Sequence, residues 1–283
     1  MRTLRQLERS DSLSLEDFRE LLQVVLRLAE KDVNREAYLG IRQINAAQDA
    51  IIKNMLTTIV NHQEFLLLDI GAHDGWFLDR IANFQKNLHV IAFEPNPAMT
   101  ANLQARQSVF DDLTVIPKAV GDAPGQLSLR VYPQCDGLSS LLPFEEGYHY
   151  LGEWFDDKTF HLHDVEVIRI DDFLAETPAT EVFPQVALKI DVQGFEDKVL
   201  AGADKLLQSG RVKTILIELV TEAKYEGSAD LLELLNQLKG YGFVVYDINP
   251  FYREHKRIFQ ERPIGRLTEL DCLLVHTDYL AQL

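Results

Sequence analysis

The stretch FLLLDIGAHDG, residues 65–75, decides the fold class of this chain. It opens with an apolar run, and apolar side chains at successive positions indicate a strand covered on both faces, as the central strands of a parallel sheet are. A turn with two glycines follows, after which Phe77, Ile81 and Phe84 recur at helical spacing. A buried strand, a glycine turn and a helix in this order predict the first unit of an α/β sheet.

Further short apolar runs alternate with helical periods along the rest of the chain. They lie at 88–93, 113–116, 186–190, 214–219, 243–248 and 272–275. This alternation predicts a doubly wound sheet of mostly parallel strands. The last two runs are joined by a loop that has Pro250, Pro263 and Gly265 but no helical period. The last strand is therefore expected to be antiparallel to its neighbour.

The first sixty or so residues have apolar side chains at helical spacing in two stretches, 15–28 and 38–59. They predict an N-terminal helical extension, residues 1–62, ahead of a main domain of residues 63–283. We expect these helices to cover one end of the main domain. A dimer surface, which would make the protein a homo-oligomer, and a substrate lid are the alternatives.

Composition limits the classes of function. The 283 residues include 28 Lys and Arg against 44 Asp and Glu, a net charge of −16, and this acidic excess disfavours nucleic acid as a partner. No apolar run approaches the roughly 20 residues that cross a bilayer, so no transmembrane segment is expected. Residues 1–8 lack the apolar core of a signal peptide, and 2 cysteines are too few for a disulfide scaffold. We expect a reducing, cytoplasmic location.

The glycine turn is the first candidate for a cofactor site, because open parallel sheets bind ligands beyond the carboxyl ends of their strands. Asp69, Gly71, Ala72 and Gly75 form this candidate set. Gly71 allows a ligand to approach bare backbone, and Gly75 lets the helix start pack near the strand. The spacing does not match the Gly-x-Gly-x-x-Gly cradle of a dinucleotide site, so a ligand without a pyrophosphate is expected.

Three more residues extend this candidate site. Glu94 and Pro95 follow the second strand, at roughly the 20-residue interval after Gly71 at which an acidic side chain meets ribose hydroxyls. Asp122 follows the next apolar stretch and is expected near an adenine edge. An exposed turn residue is the alternative for Asp122.

A second group of candidate residues lies in LKIDVQGFE, residues 188–196, where another strand enters a helix. Asp191 ends this strand and is expected in the same crevice. Lys189 projects to the same face of the strand two residues earlier. Glu218 ends the next buried strand and is a further crevice carboxylate by the same reasoning.

At this point the chain resembles the FkbM family of S-adenosylmethionine-dependent methyltransferases. The resemblance covers roughly residues 65–277 and is carried by 69–72, 93–96, 139–141, 170–173, 189–196, 199–203 and 270–271. It implies a class I methyltransferase fold, with a seven-stranded sheet that has an antiparallel hairpin at one edge. It also implies S-adenosylmethionine as the cofactor and O-methylation of a hydroxyl on a sugar or natural product.

The resemblance gives the second group its expected roles. Asp191 is the first candidate to orient the acceptor hydroxyl and to take its proton, with Lys189 and Glu218 completing the catalytic set. The alternatives are a helix-dipole contact for Asp191 and a structural ion pair for Lys189. His161 and His163 lack the further ligands of a metal site, so no metal is expected.

Two other functions stay open. The chain could be a nicotinamide-dependent oxidoreductase, which the missing pyrophosphate motif disfavours, or a catalytically silent binding module that keeps the fold. The long aromatic segment 132–165 interrupts the alternation of strands and helices, and a loop of this length usually carries function. The partner expected for the favoured function is a small-molecule or saccharide acceptor.

Overall fold

A computed structural model of the chain describes residues 41–59, 65–85, 88–106, 110, 112–146, 155–220, 224–251, 269–280 and 282–283. The predicted helix at 15–28 lies outside these residues, and so does part of the aromatic segment, 147–154. The strands are β1 (Phe65–Ile70), β2 (His89–Phe93), β3 (Asp112–Ile116), β4 (Ala119–Val120), β5 (Gly125–Val131), β6 (His161–Ile168), β7 (Gln185–Ile190), β8 (Val212–Val220), β9 (Phe243–Phe251) and β10 (Glu269–His276).

Eight helices are described along with these strands. They are α1 (Ile41–Thr58), α2 (Trp76–Ala82), α3 (Pro97–Ala105), α4 (Ile170–Glu176), α5 (Glu196–Gly202), α6 (Asp204–Gln208), α7 (Leu231–Gly240) and α8 (Thr277–Leu280), with short 3₁₀ turns at Asp136–Leu138 and Pro178–Val182. In the part of the chain that the structure describes, no helix is long and apolar enough to span a membrane.

The main sheet has seven strands in the order β3-β2-β1-β7-β8-β10-β9. Strands β1, β2, β3, β7 and β8 pair in parallel, whereas β10 runs antiparallel to both β8 and β9. This topology confirms the predicted doubly wound sheet and the antiparallel last strand. The seven strands and the antiparallel edge are those that the family resemblance implies, and the carboxyl ends of β1, β2, β7 and β8 meet at one edge.

The buried residues of β1 show why this strand is apolar throughout. Leu66, Leu68 and Ile70 pack into a core with α4, α5, α6 and α7. Phe65 and Leu67 point to the other face and pack with α1, α2 and α3. Since neighbouring side chains of a strand point to opposite faces, helices on both faces require apolar residues at both sets of positions.

Helix α1 belongs to the second of these cores. Ile51, Ile52 and Met55 are nearly completely buried there. Two polar contacts also fix the helix, since Arg80 Nη1 lies 2.6 Å from Asp49 Oδ1 and Asn54 Nδ2 donates to Asp247 Oδ2 at 2.7 Å. The C-terminal half of α1 is therefore built into the sheet domain, and the domain boundary after residue 62 stays a prediction.

A smaller sheet of three strands, β4-β6-β5, stands beside the main one and was not expected from the sequence. Strand β6 includes the end of the segment that the sequence analysis treats as a loop. In it, buried Val165 and Val167 alternate with exposed Asp164 and Glu166, which is the pattern of a half-buried strand. The end of the segment 132–165, from His161 onward, is therefore a strand and not a loop.

The close packing of α5 on the turn after β4 gives a test of this fold. Gly202 ends α5, and a Cβ atom there would overlap the carbonyl oxygen of Gly121. We expect Gly202→Ala to lower the free energy of unfolding by about 1–3 kcal/mol, because the helix must move off the turn. Urea unfolding followed by circular dichroism measures this change.

The matched control is Gly240→Ala at the end of α7, where an added Cβ meets no atom within 4 Å. This variant should keep or slightly gain stability, because alanine restricts the unfolded chain more than glycine does. Equal unfolding midpoints for Gly202→Ala and the unsubstituted protein would contradict the packing described for α5.

Candidate functional site

A cavity of about 310 Å³ opens at the carboxyl ends of β1, β2, β7 and β8. This is the edge where an open parallel sheet binds its ligands, and the volume lies within the range of small-molecule sites. Most of the residues predicted from the sequence line it, namely Gly71, Ala72, Glu94, Pro95, Lys189, Asp191 and Glu218. The two groups of candidate residues therefore share one cavity.

The other three candidates lie outside the cavity wall. Asp69 is fully buried beneath it. Gly75 has a left-handed φ of 86° and packs against the side chains of Arg106 and Leu103. Asp122 is exposed in the turn after β4. Its position fits the alternative of an exposed turn residue, because its side chain faces solvent, and we do not carry it into the proposed site.

The glycine turn is held between the ends of two other strands. The backbone N–H groups of Gly71 and Ala72 donate to the Phe93 carbonyl at 3.0 and 3.1 Å. Gly71 has a φ of 81°, and a Cβ at this position would overlap the Asp191 carbonyl oxygen. Glycine is required here both by its backbone conformation and by the close approach of the loop after β7.

Glu94 is buried at the end of β2 and accepts two backbone hydrogen bonds. Its Oε2 accepts from the His73 N–H at 2.7 Å, and its Oε1 accepts from the Asn96 N–H at 2.8 Å. Burial raises the pKa of Glu94, and these two N–H groups act in the opposite direction. An ionised carboxylate has about four acceptor positions, so this side chain keeps room for two hydroxyl donors from the cavity.

Lys189 is a buried cation that joins β1, β7 and the glycine turn. Its Nζ donates to the Gly71 carbonyl at 2.7 Å and lies 3.4 Å from both Asp69 Oδ1 and Asp191 Oδ2. Burial disfavours its charged form, but the charges of Asp191 and Asp69 outweigh this effect and raise the pKa of Lys189. Burial also acts against ionised Asp191, and Lys189 reverses it, so the pKa of Asp191 is lowered. Both groups are therefore charged at neutral pH.

The ionised form of Asp69 depends on Lys189 more than that of Asp191 does, because Asp191 also accepts a hydrogen bond from Gln193. Its carboxylate is fully buried, and neither oxygen has a hydrogen-bond partner of good geometry among the described residues. Burial raises the pKa of Asp69, and the charge of Lys189 is the largest opposing influence. Asp69 thus acts beneath the cavity as the second counter-charge of Lys189.

The first part of the aromatic segment, residues 132–146, closes one side of the cavity. Ser140 is buried and its Oγ donates to the Gln193 carbonyl at 2.6 Å. Asp136 Oδ1 lies 3.4 Å from His73 Nε2, and both residues line the cavity. Three turns are thereby tied together: the glycine turn, the loop after β7 and this segment.

Several residues of the wall were not singled out by sequence reasoning. They are Trp76, Asp136, Ser140, Gln193 and Asp271. Three of them, Ser140, Gln193 and Asp271, fall in the short segments that carry the family resemblance. That coincidence was a usable signal. The others lacked one, because an isolated polar or aromatic side chain in a turn does not reveal which cavity it faces.

No group of three metal-ligating side chains is found among the residues that the structure describes. His161 and His163 stand on the exposed part of β6. They project from the small sheet and do not line the cavity.

Glu196 fixes the loop between β7 and α5 and gives a test of this site. Its Oε1 accepts from the Val192 N–H at 3.1 Å and its Oε2 accepts from the Gly194 N–H at 3.0 Å. Burial raises the pKa of Glu196 from 4.5 to about 7. Between these values the folded protein binds more protons than the unfolded chain does. This carboxyl therefore lowers the free energy of unfolding as the pH rises through that window.

We expect Glu196→Gln to weaken this pH dependence, because an amide of the same shape keeps one acceptor and cannot ionise. The difference in the free energy of unfolding between variant and unsubstituted protein should change by on the order of 3 kcal/mol between about pH 5 and pH 8. Urea unfolding at a series of pH values measures it. The control is Glu233→Gln, an exposed site in the first turn of α7. Parallel curves for Glu196→Gln and the unsubstituted protein would refute the raised pKa.

Comparison with known proteins places the chain among methyltransferases. The methyltransferase FkbM domain matches residues 69–245. The 2-O-methyltransferase NoeI of Sinorhizobium fredii is 24% identical over 218 residues, which are 74% of this chain and 85% of NoeI. Methyltransferase sdnD of Sordaria araneosa is 28% identical over 156 residues, which are 49% of this chain and 60% of sdnD.

Solved methyltransferase structures also overlay on the chain. Magnesium protoporphyrin IX methyltransferase from Synechocystis, with bound S-adenosylmethionine, is 11% identical, with a TM-score of 0.41 over 88% of this chain and 91% of that one. A putative methyltransferase from Listeria monocytogenes is 10% identical, with a TM-score of 0.43 over 82% and 99% of the two chains. Since the matched domain covers more than half of the chain and contains the cavity's Glu94 and Asp191, the chain belongs to the FkbM family of S-adenosylmethionine-dependent methyltransferases.

Proposed function

We propose that this methyltransferase transfers the methyl group to a hydroxyl of a sugar or natural product. One observation carries the proposal: a single cavity has the buried Glu94 carboxylate in one wall and the partly exposed Asp191 carboxylate, paired with Lys189, in another. The Glu94 carboxylate can accept hydrogen bonds from the ribose of a nucleoside, and the Asp191 carboxylate can accept one from an acceptor hydroxyl. The name of the relative NoeI, a 2-O-methyltransferase, supports oxygen as the methylated atom.

The residues on one side of the cavity fit S-adenosylmethionine. Glu94 would accept hydrogen bonds from the ribose hydroxyls, for which it has acceptor positions left. Apolar side chains nearby in the wall, Val120, Leu141 and Phe195, would cover the adenine. When bound, the cofactor supplies an electrophilic methyl group.

Asp191 would act on the acceptor. Its carboxylate is ionised at neutral pH, so it can accept a hydrogen bond from the acceptor hydroxyl and then take its proton as the new bond to oxygen forms. A carboxylate of lowered pKa is a weak base, and general-base catalysis contributes about 10²- to 10⁴-fold. Holding the reactants in line can contribute more, on the order of 7–11 kcal/mol. We therefore assign Asp191 mainly to orienting the hydroxyl.

The charge of the wall supports a neutral, hydroxyl-rich acceptor. Asp191, Glu218 and Asp271 all line the cavity, and Asp271 pairs with Glu218 across β8 and β10. Ionised carboxylates accept hydrogen bonds from hydroxyls and repel anions. A saccharide without phosphate or carboxylate groups is the class of acceptor that these side chains suit.

Of the two alternatives raised by the sequence, family membership decides against the nicotinamide-dependent oxidoreductase. A catalytically silent binding module has the same fold and the same cavity. Activity measurements separate it from an enzyme.

The test is the transfer of labelled methyl groups from S-adenosylmethionine to a panel of neutral saccharides and hydroxylated natural products. We expect the unsubstituted protein to methylate an oxygen of at least one of them. Asp191→Asn should lower turnover by about 10²- to 10⁴-fold, because the amide neither takes a proton nor accepts as strong a hydrogen bond. Its affinity for S-adenosylhomocysteine, measured by calorimetry, should change only a few-fold.

The control is Asp278→Asn, whose side chain is 89% exposed in α8 and should leave turnover unchanged. Equal turnover for Asp191→Asn and the unsubstituted protein would remove Asp191 from the mechanism. Binding of S-adenosylhomocysteine without methylation of any hydroxylated acceptor would point to the silent binding module.

A further inference from the structure

Gln193 follows Asp191 by two residues and its side chain lies between both cavity carboxylates. Its Nε2 donates to Asp191 Oδ1 at 2.9 Å and to Glu218 Oε2 at 2.6 Å. On the other side of the amide, Oε1 accepts from Lys224 Nζ at 2.8 Å and lies 3.0 Å from the Tyr225 hydroxyl. One side chain thus contacts four polar partners.

These partners determine which way the amide faces. The opposite orientation would place the carbonyl oxygen against two carboxylates and the NH₂ group against the Lys224 ammonium, which are repulsive contacts on both sides. Only an amide has two hydrogens to donate on one side and an oxygen to accept on the other. A glutamate would repel Asp191 and Glu218, and a cationic side chain would repel Lys224.

The backbone of Gln193 is held in a conformation that this side chain does not favour. Its φ is 54°, a left-handed value that is unfavourable for a residue other than glycine. The bond from Ser140 Oγ to its carbonyl and the Tyr225 ring packed on Gly194 hold this turn in place. Backbone strain of this kind persists where surrounding contacts over-determine it, and it concentrates at functional sites.

We propose that Gln193 is a positioning residue for methyl transfer: its amide holds the Asp191 and Glu218 carboxylates side by side at the cavity wall, and Lys224 and Tyr225 orient that amide. This inference rests on the proposed function of Asp191. Because the amide occupies one oxygen of each carboxylate, Asp191 has its second oxygen beside Lys189, and rotation of either carboxylate would break a hydrogen bond.

The charges that face Asp191 come from several elements. Lys189 lies on β7, Asp69 on β1, Glu196 on α5, Glu218 on β8, Lys224 after β8 and Asp271 on β10. The amide of Gln193 contacts Asp191 and Glu218 directly, so a substitution at position 193 changes the electrostatic environment of both carboxylates. The ionisation of Asp191 should therefore report on Gln193 directly.

The first test variant is Gln193→Glu. A third carboxylate between Asp191 and Glu218 should raise the pH at which the group ionises, so the acidic limb of kcat/KM should move up by about one pH unit or more. We expect kcat to fall while the Kd for S-adenosylhomocysteine changes less than about two-fold, because the Glu94 wall is untouched. The carboxyl carbon of Asp191, assigned with Asp191→Asn and followed by NMR titration, should show the same shift.

The second variant, Gln193→Asn, is chosen because it should fold even if Gln193→Glu does not. Asparagine tolerates the left-handed backbone better than glutamine does, but its amide is one methylene shorter and cannot contact both carboxylates. We expect kcat to fall about 10- to 100-fold through loss of orientation. The matched control is Gln208→Glu, where the glutamine amide also donates to a carboxylate, that of Asp204, but on the surface of α6.

The outcomes are distinguishable. A fall in kcat with a shifted pH profile and an intact affinity for S-adenosylhomocysteine, at position 193 and not at 208, supports the positioning role. If Gln193→Asn keeps the turnover and pH profile of the unsubstituted protein, or loses activity only in step with its thermal stability, the inference is overturned. If the unsubstituted protein methylates no hydroxyl, the proposed function fails, and the NMR titration alone decides whether Gln193 controls the carboxylates.

Discussion

The buried ammonium of Lys189 is the constraint on which the site depends. Lys189 pairs directly with Asp69 across β7 and β1, and it also contacts the Gly71 carbonyl and the Asp191 carboxylate. Among the residues that the structure describes, Lys189 is the cation that pairs with Asp69. Loss of one member of a buried ion pair commonly costs about 3–5 kcal/mol, because the remaining charge is left without compensation. One cation therefore contacts the glycine turn after β1, the buried carboxylate of that strand and the Asp191 carboxylate after β7.

Two functional walls follow from this arrangement. The glycine turn after β1 is pinned to the end of β2, so Glu94 is held at the cavity with acceptor positions to spare. The loop after β7 is pinned by Glu196, Ser140 and the amide of Gln193. Both walls are built from strand ends and from short turns whose backbone these hydrogen bonds hold in place. Under the proposed function, a nucleoside and a hydroxyl acceptor would meet between these two walls.

The apolar strands, the glycine turn and the carboxylates at strand ends could be predicted, because each is a pattern of residues close together in the sequence. They missed β6, although Val165 and Val167 alternate with charged residues there, because the strand follows a long aromatic segment. The expected place of Asp122 near an adenine edge stays a prediction, because turn residues carry no signal of orientation. The family resemblance marks the segment that contains Gln193, but the contacts of its side chain could not be predicted from the sequence. Its partners Glu218, Lys224 and Tyr225 are distant along the chain, and only folding brings them together.

The central claim is that Glu94 and Asp191 belong to one site in which a nucleoside and an acceptor meet. A crystal structure of the protein in complex with S-adenosylhomocysteine tests it most directly. We expect the ribose hydroxyls within hydrogen-bond distance of the Glu94 carboxylate and the sulfur on the side of the cavity that faces Asp191. Ordered density for the molecule in another place, or a ribose turned away from Glu94 with the sulfur remote from Asp191, would contradict it.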